Sequence, residues 1–174
     1  MITLIHAHPY PARSRAVAAL LAAVRDLRNV EVRSLYSLYP DFDIDAPAER
    51  GAVGRATALV LLHPLYWYTT PALLKHWFEV VLTKGFAYGE GGTALRGKTC
   101  LWAVTTGDVT EYTGEGRHQH DFSAFTPVVE QTVRYCGMAW AEPFAVQGAH
   151  KISDAELADA AARFRKRVQA LEAT

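Results

Sequence analysis

Residues 58–85 read ALVLLHPLYWYTTPALLKHWFEVVLTKG, and the stretch changes character twice. Ala58–Leu62 is an uninterrupted apolar run, suited to a strand buried on both faces. Pro71–Gly85 carries apolar residues at helical spacing, with proline at its first turn and glycine near its end, a normal start and stop for a helix. Between them lies His63–Thr70, a connecting loop with three consecutive aromatics, Tyr66, Trp67 and Tyr68. A connection needs none of them for folding. A buried strand leading through a loop into a helix is the repeating unit of a parallel α/β sheet.

The same unit recurs on both sides. ITLIHA (2–7) is a buried-strand run followed by SRAVAALLAAVRDL, a helix with Ser14 as its N-cap. VEVRSLY (30–36) alternates like a strand, PAERGAVGRA is a short helix, KTCLWAVTTG (98–107) is another strand, and FTPVVEQTVRYCG is the next helix. AWAEPFAVQ reads as a last strand despite Pro143. In the final helix Ser153 and Glu156 form a capping box, and Leu157, Ala161, Phe164, Val168 and Leu171 recur along one face. Five strands alternating with helices predict a doubly wound α/β domain spanning residues 1–174, with a parallel sheet covered on both faces.

Composition narrows the function. The chain has 174 residues, 50% of them hydrophobic, enough for one compact domain with a substantial core. Eighteen basic and eighteen acidic residues cancel, so no global field draws in nucleic acid or an anionic membrane. Cys100 and Cys136 lie in apolar segments without metal or redox spacing, as expected of free thiols in a reducing compartment. The amino-terminal apolar run is too short for a signal peptide, and polar residues interrupt every candidate span. A soluble, cytoplasmic protein is the expectation.

In such a sheet a ligand sits beyond the carboxyl ends of the strands, where strand order reverses. Three loops reach that edge: HPYPARS (8–14), HPLYWYTT (63–70) and TTGDVTEY (105–112). The first ends at a helix amino terminus, which favours an anion, with His8, Ser14 and Arg15 as side-chain donors; the plainer alternative makes Ser14 only a cap. The second, with Pro64, Leu65, Tyr66, Trp67 and Tyr68, offers flat aromatic surface and the backbone amides of its non-proline residues, suited to a planar heteroaromatic ring; the alternative packs Trp67 and Tyr68 under the following helix. The third sets Thr105, Thr106, Gly107 and Asp108 beside the same crevice, where small residues let backbone approach a ligand.

Two other patterns carry less. Gly92–Thr99 matches the phosphate-loop pattern GxxxxGK[ST], but it follows no strand and leads into one, so it lacks the helix whose amides would cradle a phosphate. His118-Gln119-His120-Asp121 lacks a helical pair or a further ligand for a metal; a loop reaching into a substrate pocket fits it better. Arg165-Lys166-Arg167 reads as a solvated face.

The run from HPLYWYTT through FAYGEGGTALRGK, together with HAHPYP, SLYSLYPDFDID, LWAVTTG and YCGM, resembles the flavodoxin-like NAD(P)H:quinone oxidoreductases. Within them it is most similar to the bacterial ancillary subunits of glutathione-regulated potassium-efflux systems, over nearly the whole chain. The resemblance implies a five-stranded flavodoxin-like sheet in the order 2-1-3-4-5, with FMN bound in preference to FAD. It also implies NADPH or NADH as reductant, a quinone as acceptor, and a homodimer with its sites at the subunit interface. A membrane potassium-efflux antiporter becomes a partner, with the protein peripheral at the inner membrane face. By position, His8, Ser14 and Arg15 would meet the flavin phosphate, Leu65–Tyr68 would line the ring and ribityl chain, and Thr105–Asp108 would face the ring's polar edge. Tyr112 and His118 carry the family's spacing for the pair that assists hydride transfer. Where the family often has Gln and Gly, this chain has Tyr66 and Asp108; a carboxylate at 108 aimed at the flavin would lower its potential. The rivals are a regulatory subunit with secondary reductase activity and a flavodoxin-type electron carrier.

Overall fold

The computed structural model describes residues 1–107 and 112–171. The strands are β1 (Ile2–His6), β2 (Val30–Ser34), β3 (Ala58–Pro64), β4 (Thr99–Thr105), β5 (Ala139–Trp140) and β6 (Phe144–Val146). The helices are α1 (Arg15–Val24), α2 (Leu35–Leu38), α3 (Ala46–Arg55), α4 (Ala72–Val81), α5 (Pro127–Tyr135) and α6 (Asp154–Ala170), with short 3-10 turns at Pro11–Arg13 and Phe122–Phe125. All strand pairings in the sheet are parallel and the order is β2-β1-β3-β4-β5, with β6 also on β4.

The expected last strand is therefore present, but in two pieces. Ala139 pairs with Thr99 and Trp140 with Cys100, an offset of 139 − 99 = 40; Phe144 pairs with Ala103, an offset of 144 − 103 = 41. One extra residue is taken up between them, at Ala141–Pro143, where proline has no N–H for the ladder. A second correction concerns 35–36, expected to extend β2: Leu35 starts α2 instead and is fully buried.

Strands β1, β3 and β4 are buried on both faces, and alternation divides the core. Leu59 and Leu61 join one apolar cluster with Leu73, Leu74, Trp77, Val129 and Val133 from α4 and α5. Ala58, Val60 and Leu62 join the other, with Val17, Leu20, Leu157, Phe164 and Val168 from α1 and α6. In α6 it is Ala160 that is fully buried, with Ala161 only packed at the margin, and the Ser153–Glu156 capping box is formed. Arg165 is not simply solvated: it donates to the Ala23 carbonyl at 2.6 Å and pairs with Asp26, tying α6 to α1.

The buried Glu49 carboxylate fixes α3 against its neighbours, accepting from Arg33 Nε at 2.7 Å, Tyr39 Oη at 2.7 Å and Trp77 Nε1 at 2.8 Å. Its charge is compensated by directed partners, as a fully desolvated carboxylate requires. The phosphate-loop pattern has a structural use: Lys98 Nζ donates to the Gly54 carbonyl at 2.8 Å and to that of Ala56, closing the end of α3, and the chain then enters β4.

Candidate active site

The chain runs from β1 outward to β2, then crosses back to β3 on the other side of β1, so strand order reverses between β1 and β3. A cavity of about 420 Å³ opens beyond the carboxyl ends of these strands, where such a reversal parts the loops. His8, Ser14 and Arg15 line it from the first loop, Pro64, Leu65 and Tyr66 from the second, and Thr105, Thr106 and Gly107 from the third. Asp108 lies outside the described residues.

Sequence reasoning missed four lining residues. Tyr10 and Arg13 belong to the first loop, with the Arg13 guanidinium 5.4 Å from the Tyr10 ring centroid. Ala149 and His150 come from the loop after β6. The signal for the latter was available, since the last strand of a parallel sheet ends at the same edge as the others. Among the described residues the lining contains arginine and histidine but no carboxylate, which suits an anionic ligand.

Local bonding sets the polar groups. Ser14 Oγ accepts from Val17 N at 3.2 Å, so it caps α1 while lining the cavity, and the N–H groups of Arg15 and Ala16 have no acceptor within the helix. Arg15 is already engaged, donating to the Ile152 carbonyl at 2.8 Å and to Asp154 at 3.0 Å. His8 Nδ1 accepts from Tyr10 N at 3.0 Å, so the neutral ring carries its proton on Nε2. Burial lowers the His8 pKa. Behind it, His6 is held neutral more firmly: burial first, then the neighbouring His8, bring its pKa down to about 4.

The aromatic loop divides in two. Tyr66 and Thr69 exchange backbone hydrogen bonds at 3.2 and 3.0 Å, closing a two-residue turn in which Trp67 has φ 47° and Tyr68 φ 66°. Such turns favour Asn-Gly; bulky side chains there cost on the order of 1–3 kcal/mol each. Trp67 is 89% exposed, so it does not pack under α4, and neither it nor Tyr68 lines the cavity.

Tyr68 faces a second cluster. Its hydroxyl is 3.2 Å from His118 Nδ1 and its ring stacks on Phe125 at 5.1 Å between centroids. Tyr112, buried, lies 4.6 Å from the His118 ring. The structure thus brings Tyr112 and His118 together with Tyr68, beside the cavity lining but not within it. Among the described residues no cluster of three or more potential metal ligands occurs, and no helix is long and apolar enough to cross a membrane.

A family model described as flavodoxin-like fold matches residues 1–168. The chain belongs to this family. It is 46% identical to the glutathione-regulated potassium-efflux system ancillary protein KefF of Salmonella typhi, over 98% of this chain and 96% of that one. Among solved structures, general stress protein 14 of Treponema denticola in complex with FMN superposes with a TM-score of 0.90 at 31% identity, covering 98% of both chains. A protein from Streptomycin violaceusniger described as a thermophilic tryptophan halogenase gives 0.91 at 33%, covering 97% of this chain and 98% of that chain. An NADPH-quinone reductase from P. pentosaceus gives 0.87 at 26%, covering 96% of both. The activities named for these neighbours differ while the fold is shared, so the choice among them rests on the site.

Proposed function

We propose that the chain is a flavin-dependent NAD(P)H:quinone oxidoreductase that works by two-electron exchange. The observation that carries this is the cavity at the β1/β3 crossover, whose lining combines a helix amino terminus and basic side chains with Leu65 and Tyr66. FMN would fit this lining: the Arg15 and Ala16 amides with Ser14, His8 and Arg13 would hold its phosphate, and Leu65 and Tyr66 would meet its ring. The family membership and the FMN complex of a 31% identical neighbour support it. Bound there, a flavin would supply two-electron redox chemistry between NAD(P)H and a quinone.

The chain's own residues bind, orient and buffer charge. His8 presents an Nε2–H, and burial lowers its pKa. Thr105, Thr106 and Gly107, with Asp108 beyond them, would face the polar edge of the ring. Tyr112 and His118 would hold the proton that offsets charge accumulating during transfer, and Trp67 and Tyr68 would border the place where nicotinamide and quinone enter in turn. The proposal extends to one domain over 1–174 acting as a homodimer.

The test is spectroscopic. Protein reconstituted with FMN and held anaerobically should lose its visible flavin absorbance on addition of NADPH and regain it with a soluble quinone. Bleaching without recovery by quinone would contradict the assignment of acceptor, and absence of bleaching the assignment of donor.

A second reading rests on the 46% identity to an ancillary protein of a potassium-efflux system. In it the chain also docks on a membrane potassium antiporter, cytoplasmic and peripheral, with its reductase activity secondary. Co-purification with a potassium-efflux transporter from native membranes would support this reading; absence of such a complex would count against it.

A further inference from the structure

His63 is fully buried at the end of β3, and both of its ring nitrogens are occupied. Trp102 Nε1 donates to His63 Nε2 at 2.7 Å, and an indole N–H is donor only, so the imidazole proton is on Nδ1. From there it donates to the Pro64 carbonyl at 2.9 Å. Burial, partly opposed by that carbonyl, brings the His63 pKa down to about 4, so the ring is neutral and its tautomer fixed.

The place of these bonds matters more than their number. Pro64 and Leu65 form part of the cavity wall, and Pro64 sits opposite Thr105 without an N–H to give the ladder. The orientation of the wall at this point depends on the Pro64 carbonyl and on the next amide, Leu65 N, which donates to Thr105 O at 2.8 Å. His63 supplies the partner for the first. Through Nε2 it also fixes the Trp102 indole, on which Phe122 stacks at 5.5 Å. Phe122 opens the 3-10 turn that ends in Phe125, the ring against which Tyr68 lies. An apolar side chain would fill the position without desolvating an imidazole; only an acceptor and a donor in this arrangement tie the wall to the indole.

We infer that His63 is a positioning residue for the cavity: its two hydrogen bonds hold the Pro64–Leu65 wall, and through Trp102 the Phe122–Phe125 segment, in the geometry that receives the ligand. The inference rests on the FMN reading above. It is tested by FMN binding to three folded variants, followed by quenching of flavin fluorescence. His63→Leu, which removes both bonds, should weaken FMN binding on the order of tenfold or more. His63→Gln, which keeps an acceptor for Trp102, should recover most of that loss. Trp102→Phe, which keeps the stack on Phe122 and removes the donor, should fall between them, and it decides the matter if His63→Leu does not fold. Ring ¹⁵N shifts of the FMN-free wild-type protein should show His63 protonated on Nδ1 from pH 6 to 8.

Wild-type affinity in both His63→Leu and Trp102→Phe would overturn the inference. So would a loss in His63→Leu that Gln does not relieve, since that would mark a filling role alone. An Nε2-protonated tautomer would also contradict it while leaving the FMN reading intact. Failure of the wild-type chain to bind FMN would count against the functional reading itself.

Discussion

Strand β3 and the loop that follows it are built on opposite terms. From Ala58 to Leu65 the chain is buried, ladder-bonded and regular, and every polar group on its His63 side chain is satisfied. Two residues later Trp67 and Tyr68 stand in the left-handed region on the tip of a turn, one almost wholly exposed. The first part obeys each local rule and forms the cavity wall. The second breaks the rule for its turn, and Tyr68 reaches from it to His118 and Phe125. Left-handed backbone under bulky side chains persists where surrounding contacts over-determine it, and such strain gathers where ligands are met. The contrast teaches that the wall is made for precision and the tip for contact.

Acid should expose the regular part first, with the largest effect. His6 and His63 have pKa values lowered to about 4, against about 6.5 in an unfolded chain. The unfolded state therefore binds protons that the folded state refuses. Stability is at its full value above pH 6.5 and falls as pH drops toward 4, by about 1.4 kcal/mol per pH unit for each ring. Denaturant melts between pH 7 and 4 measure this, and replacing His63 by Gln should remove about half of the slope. A pH-independent midpoint over that range would show that the two rings are not held neutral.

Relief of the strained part comes next. Trp67→Asn installs a residue this turn favours at an almost wholly exposed position and should raise stability by about 1 kcal/mol. The same variant should lose quinone turnover, because the tip contributes contact and not folding. Higher stability with unchanged kcat/KM would separate the strain from function.

The smallest effect belongs to Ser14. Ser14→Ala removes the α1 cap and should cost about 1 kcal/mol by thermal melt. It should also weaken FMN binding, whereas a cap with no further role would leave binding unchanged.

The sequence made the regular part legible and the tip only partly so. Apolar runs and the Ser153–Glu156 box announced strands, helices and their order because burial and capping act over a few residues. Three loops at one sheet edge followed from topology, and nine of the residues named from them do line the cavity. Arg13 and Tyr10 went unnoticed because their presence there depends on how a loop folds back, which no periodicity records, whereas His150 was signalled by the last strand ending at the same edge. Trp67 and Tyr68 looked like cavity walls since adjacency in sequence is the only distance a sequence shows; the left-handed turn sends them elsewhere. The bulge at Ala141–Pro143 was signalled by proline, and its one-residue size was not.

The most direct test of the central claim compares FMN with riboflavin, which has the same ring and ribityl chain but no phosphate, by titration into the flavin-free protein. The account predicts one FMN bound per chain and riboflavin bound at least about a hundredfold more weakly, roughly the 3 kcal/mol expected of two or so charge-assisted hydrogen bonds at a helix terminus. Equal affinity for the two, or no binding of either, would contradict the assignment of the cavity between β1 and β3 as a site for the flavin phosphate.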